Sequence, residues 1–317
     1  MEGTEALNEE GNSQITIGAG CCTDIKYGWR LTMNYGRIPA KADMKKIRLF
    51  GFALLIFGLC GSNAFALDFM GPPTAEIEKG MFRAGIDYTF TDMDLELIEG
   101  KGTTFFEGEL LEPYALGSQT ISGFEVNTLY ATIGYGVFEN CEAFLRIGAA
   151  NATFGDSLWD EGEDYDSDID FAIGAGIKMN FYKEFDWKIG GVIQINRLEL
   201  DGKLDSSSWA IPQPQMIDIS TSEIQIAIGA TYMYSRRLSI YGGPFAHFIS
   251  GDFDFEFIRA DEESFLISEL SWEINEGPIY GGYLGAQYEL TKNIFANMEF
   301  QNSSDASVFG LSLMMKY

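Results

Sequence analysis

Alternation of apolar and polar residues dominates this chain from Phe82 to its last residue. Two is the strand period, because successive side chains leave a strand on opposite faces. Within residues 169–181, Phe171, Ile173, Ala175, Ile177, Met179 and Phe181 alternate with Asp170, Ala172, Gly174, Gly176, Lys178 and Asn180. The same rhythm predicts strands over residues 82–91, 126–137, 142–154, 186–198, 222–234, 279–290, 294–301 and 306–317. Residues 238–249 form a further strand of ambiguous phase, since they include Pro244 and both faces are partly apolar. The predicted total is ten strands.

The connections alternate in length. Short ones fall at 138–141, 182–185, 235–237 and 291–293, with long ones at 92–123, 155–168, 199–221 and 251–278 and a short last one at 302–305. One face of every strand is apolar and almost free of charge. The other holds Gly, Thr, Ala, Gln and Asn with isolated charges: Arg83, Asp87, Glu125, Arg146, Lys178, Lys188, Glu223, Glu289 and Glu299. A soluble barrel would reverse this, and its Gly-rich face could not fill a greasy interior. A Lys or Arg facing mid-bilayer costs about 2–4 kcal/mol, so a charge-free face suits lipid. The pattern therefore predicts an all-β fold, a ten-stranded antiparallel up-and-down transmembrane β-barrel with these charges lining its lumen. They form either a ladder of ion pairs that fills the barrel or the selectivity lining of a pore. Mixed signs in so narrow a barrel favour filling, while the inward glycines leave room for a small-solute path.

The last strand carries the family resemblance. Phe309, Leu311, Leu313, Met315 and Tyr317 share one face, and the chain ends on the aromatic ring. This resembles the closing strand of bacterial outer-membrane β-barrels, in which such a terminal pattern is the assembly signal. The resemblance implies location in the cell outer membrane. It also implies the barrel assembly machinery and periplasmic chaperones as partners, and lipid and lipopolysaccharide as surroundings. Short periplasmic turns, long outer loops and aromatic girdles agree with it; Phe90, Phe181, Trp187, Tyr234, Tyr288, Phe300 and Tyr317 are the girdle candidates.

Export has its own signal. Lys45, Lys46 and Arg48 precede an apolar run over residues 49–59, and Ala64-Phe65-Ala66 follows as a small-x-small cleavage site. That order defines a secretory signal peptide over residues 44–66. Its apolar run falls short of the roughly 20 residues a transmembrane helix needs. Residues 1–43 show neither period nor apolar run and are read as a translated leader, disordered, ahead of the true start at Met44. The barrel domain is residues 67–317. Cys60 lacks the small residue before it that a lipid anchor would need.

From Leu67 onward the chain has 14 basic and 41 acidic residues, a formal charge of −27. Phosphate backbones need Lys and Arg, so nucleic acid is excluded as a partner. Cys141 is the one cysteine of that stretch, which leaves no intramolecular disulfide.

Other residues invite chemistry. Asp164, Asp166 and Asp168 have the odd-position spacing of calcium loops, but Ile169 and Ala175 stand where the glycine and closing Glu belong. The region reads as a solvated acidic loop, with weakly bound Ca2+ bridging lipopolysaccharide phosphates as the alternative; no other cofactor is expected. His247 is the lone histidine, with Asp252 and Asp254 close behind. The omptin proteases, also ten-stranded outer-membrane barrels, use an Asp-x-His motif, and Phe245 occupies its first place here. No enzyme is expected. The sequence thus points to a monomeric barrel with a structural or surface-interaction role, a narrow small-solute channel being the alternative and an omptin-like protease a remote third.

Overall fold

Every strand that the alternation predicts is present, and several run far past their expected ends. The computed structural model describes residues 67–155, 163–206, 215–260 and 265–317. Among them lie β1 (Phe82–Phe106), β2 (Glu109–Leu110), β3 (Tyr114–Ala115), β4 (Gln119–Phe138), β5 (Cys141–Gly155), β6 (Glu163–Ser167) and β7 (Asp170–Glu184). They are followed by β8 (Trp187–Ser206), β9 (Gln215–Met233), β10 (Leu238–Ala260), β11 (Phe265–Thr291), β12 (Ile294–Asn302) and β13 (Ala306–Lys316). The leader and the signal peptide, with Ala64 and Ala66, lie outside the described residues.

All pairings are antiparallel and run round as a ring. Each long strand bonds its sequence neighbour; β6 and β7 follow one another between β5 and β8. The last strand returns to the first, β13 pairing β1 from Arg83↔Lys316 to Met93↔Ala306. The hairpin β12–β13 is short, and beyond its turn β11 pairs β1 directly, from Leu97↔Ile274 to Phe106↔Leu266.

The short turns stand where the sequence put them, so all lie at one end of the ring apart from the β12–β13 turn. The longest outer segments, 92–123 and 251–278, read from sequence either as strands extending beyond the membrane or as a surface for adhesion or a hydrophobic ligand, follow the first of these. Residues 92–123, 199–221 and 251–278 are largely strand: β1 and β11 reach 25 and 27 residues, more than twice the roughly 9–11 that cross a bilayer.

The alternation continues into these extensions with its polarity inverted. Near the short turns the apolar side chains point outward, Ile86 55%, Leu129 53% and Leu145 68% exposed, while Asp87 is buried. In the extensions Met93, Leu95, Leu97, Ile219, Phe253 and Trp272 point inward into a packed core. Asp92, Asp94, Glu96, Asp201, Asp218 and Asp254 point out. Hydrocarbon outside selects the first arrangement and water the second, so the inversion marks where the wall leaves the membrane.

Candidate functional site

Residues 67–81 carry no period, and the structure places 67–77 of them inside the ring. The segment enters beside the short turns. Gly80 takes φ +84°, donates its amide to the Gly136 carbonyl at 2.8 Å, and turns the chain into β1. From Ile77 back to Leu67 the segment runs inward and is nearly all buried. It forms no strand, so its backbone groups must find partners elsewhere.

The wall supplies them from all round. Arg146 Nη2 donates to the Phe69 carbonyl and Lys178 Nζ to that of Met70, each at 2.6 Å. Gln301 and Gln194 donate to the Asp68 carbonyl at 2.9 and 3.3 Å. Thr91 holds the Leu67 carbonyl and Asn180 that of Ala75. In return the Met70 amide donates to Glu299 Oε1 at 2.9 Å and the Glu76 amide to Glu142 Oε2 at 3.0 Å.

Three glutamines tie these anchors together. Arg146 donates to Gln194 Oε1, Gln194 Nε2 to Gln225 Oε1 at 2.7 Å, Gln225 Nε2 to Gln301 Oε1 at 2.7 Å, and Gln301 Nε2 to Glu299 Oε1 at 2.8 Å. A guanidinium can only donate and a carboxylate only accept, so all three amides must point the same way. Arg146 also packs over the Phe144 ring at 4.9 Å and stands 4.0 Å from Asp87. Asp87 accepts from Thr132 as well. Arg83 pairs with Glu142 at 2.6 Å. Toward the short turns Glu76 meets Lys316 at 3.5 Å and accepts from Gln287 at 2.5 Å. Burial makes each of these pairs dependent on its partner, since a lone charge here would keep its full desolvation penalty.

The expected lumen charges fall into three groups. Arg83, Asp87, Arg146, Lys178, Glu223 and Glu299 are buried on the inner face. Lys188 and Glu289 are half-buried near the short turns. Glu125 is a correction: it is exposed, opposite Asp92 on the outer face, one residue out of phase with the inward Val126. Sequence reading missed Asp68 and Glu76, which lie in a segment without periodicity. It also missed Glu142, at a strand start, and the three glutamines, which were on the correct face but carry no charge to draw notice.

The other candidates disperse. Asp164 and Asp166 face outward on β6, where their spacing is the two-residue repeat of a strand, while Asp168 is exposed just past its end. No group of acidic, His or Cys side chains able to hold a metal ion occurs among the described residues. His247 is fully buried on the inner face of β10, whereas Asp252 and Asp254 point outward from the same strand. Its nearest carboxylate is Asp305, 4.0 Å away. An Asp-His pair at an outer rim is therefore not formed by these residues. Cys141 is half-buried at the start of β5.

A ring of antiparallel strands, apolar outside and hydrogen-bonded inside, satisfies every requirement that hydrocarbon places on a backbone. The described strands have the architecture of a transmembrane β-barrel. No family model matches the sequence, and no curated protein does. Among solved structures it is similar to the toluene transporter TbuX of Ralstonia pickettii, at 13% identity and TM-score 0.38 over 76% of this chain and 89% of that one. It is also similar to the translocator domain of the autotransporter NalP from Neisseria meningitidis, at 14% and 0.37 over 88% and 96%. The outer membrane protease OmpT from Escherichia coli gives 12% and 0.39 over 77% and 97%.

Proposed function

We propose that this protein is a ten-stranded, closed, monomeric barrel sealed by its own segment Leu67–Ile77, with a structural or surface-interaction role rather than an enzymatic one. The ten staves at membrane level are β1, β4, β5, β7, β8, β9, β10, β11, β12 and β13, and the β13–β1 pairing completes the circuit. Beyond the β12–β13 turn eight continue, with β6 succeeding β7 and β11 meeting β1.

The observation that carries the reading is the filled interior. Barrels of about eight strands are filled by their side chains alone, and 16–18 leave an aqueous channel. Ten leave room for one extended chain, and residues 67–77 occupy it, their backbone bonded to β1, β5, β7, β8 and β12. Outward of the segment, Leu97, Phe124, Phe154, Phe253 and Trp272 fill the ring with apolar side chains. The acidic outer extensions then face solvent and lipopolysaccharide, with divalent cations as the natural bridge. Assembly through the barrel machinery and chaperones follows from the closing strand, whose Phe309, Leu311, Leu313, Met315 and Tyr317 all face outward.

The second reading, a narrow small-solute channel, is favoured by the fact that the seal is a strand-free segment outside the ladder and could withdraw. Planar-bilayer recordings separate the two. The full barrel is expected to be silent and a variant lacking residues 67–78 to open steadily. Wild-type openings as large as those of the deletion would overturn the sealed reading in favour of the pore.

A further inference from the structure

Two acceptors stand without donors just outward of the glutamine chain. Asn196 on β8 and Glu223 on β9 are directly paired, and Asn196 Nδ2 donates to Glu223 Oε2 at 2.9 Å. Glu223 Oε1 and Asn196 Oδ1 have no hydrogen-bond partner, although the residues are only 0% and 2% exposed. A buried carboxylate oxygen left this way is strongly unfavourable. The largest charge interaction Glu223 has is with the carboxylate of Asp68, which repels it, against a smaller attraction from Arg146.

The amino end of the segment arrives at this level. Asp68 is held at the height of the paired Gln194 and Gln225, and the next inward positions along β8 and β9 are Asn196 and Glu223. Leu67, one residue further along an outward-running chain, is 1% exposed, and its carbonyl is fixed by Thr91. What the site lacks is a small positive donor.

We propose that Glu223 and Asn196 form a receptor for the α-ammonium group created at Leu67 when the export signal is removed. The inference rests on reading residues 44–66 as a cleaved signal peptide. An ammonium brings positive charge and three N–H donors, enough for both orphan oxygens. The uncut chain offers one neutral peptide N–H there, with neither the charge nor the donors for both oxygens. Removal of the signal thereby becomes a condition for seating the seal, and a precursor arriving at the membrane stays unsealed.

The test uses the protein isolated from outer membranes. Intact mass first reports the amino terminus; a start other than Leu67 defeats the export reading itself. With Leu67 confirmed, competitive acetylation across pH reports the α-amine's pKa in the folded barrel. An ordinary terminus titrates near about 8. The paired amine is expected at least about one unit higher, tenfold less reactive at neutral pH, and Glu223→Gln is expected to return it to the ordinary value. An ordinary wild-type titration overturns the proposal without recourse to the variant. So does a raised value that Glu223→Gln leaves unchanged in a barrel whose heat-modifiable gel migration shows it folded.

Discussion

Arg146 holds the carbonyl oxygen of Phe69 at 2.6 Å from the far wall of the lumen. The same guanidinium stands beside Asp87 and starts the glutamine chain. One side chain thus joins the wall, the seal and the buried charge network. Arg146→Met keeps the volume and removes all three links. It leaves Asp87 without its cation, and breaking a buried pair in that way typically costs about 3–5 kcal/mol. Urea unfolding in detergent is expected to show a loss of that order, together with channel openings absent from the wild type. A loss below about 1 kcal/mol, the size of a surface ion pair, would show that the network does not hold the fold.

The fixed direction of the glutamine chain makes a sharper prediction at Gln225. Gln225→Leu removes one donor and one acceptor and leaves one N–H of Gln194 Nε2, whose other donates to Asp68, and Gln301 Oε1 unpaired, each worth about 1–3 kcal/mol when buried. Gln225→Glu has nearly the same shape and can still accept from Gln194. It cannot donate to Gln301 when ionised, so two acceptor oxygens would face each other. The glutamate variant is expected to be less stable than the leucine one above neutral pH and to recover on acidification, when its carboxyl can donate. Equal stability of the two across pH would contradict the assigned amide directions.

Gly310 offers a way to disturb the seal from behind. It is an inward position of β13, and a Cβ there would lie 2.5 Å from Cδ2 of Phe69. Gly310→Ala forces that ring to move while leaving the β12–β13–β1 backbone ladder in place. The expected result is a folded barrel with measurable conductance in planar bilayers and a modest stability loss, about 1–3 kcal/mol as in other overpacked sites. A silent, fully stable Gly310→Ala barrel would mean that the ring has slack around it.

Outside the membrane, three carboxylates sit in one cross-strand row. Asp201 is opposite Asp218 and Asp218 opposite Asp254 on the exposed face of β8, β9 and β10. Like charges directly opposite are destabilising by about 0.2–1 kcal/mol per pair. Asp218→Asn is therefore expected to raise the unfolding midpoint at low ionic strength, with the gain shrinking toward 1 M salt as screening shortens to about 3 Å. A gain independent of salt would require another cause.

What was legible in the sequence follows from the same physics. The strands between Phe82 and Tyr317 were readable because one solvent, hydrocarbon, imposes one face on all of them. Their extension beyond the membrane was legible only as one of two readings, because past Thr91 the outside becomes water and the code inverts: Met93 and Leu95 are inward, where a reader expects outward residues to be apolar. Phase alone would have revealed this, since Thr89, Thr91, Met93 and Leu95 keep one register. Leu67–Ile77 was illegible for a different reason. Its backbone partners are side chains from five strands, most of them far away in sequence, and an extended segment without a face of its own leaves no period to find. Six of the nine expected lumen charges are buried inside and Glu125 points out, yet the role of the buried ones as anchors for that segment needed its position.

Which face meets lipid is decided by comparing adjacent residues of β4. Leu129 is 53% exposed at mid-strand and Thr128 is 5% exposed on the other face. Leu129→Lys places an ammonium against hydrocarbon and is expected to cost about 2–4 kcal/mol in folding into bilayers. The same substitution in detergent micelles, where water reaches the belt more easily, should cost less. Thr128→Lys sends its charge into the lumen opposite Thr89, so its penalty comes from crowding and is not sensitive to the change from micelle to bilayer. Folding both variants in the two media gives four numbers. The account stands on one contrast among them, a bilayer-specific penalty at Leu129 that Thr128 does not share. The opposite contrast would turn the barrel inside out.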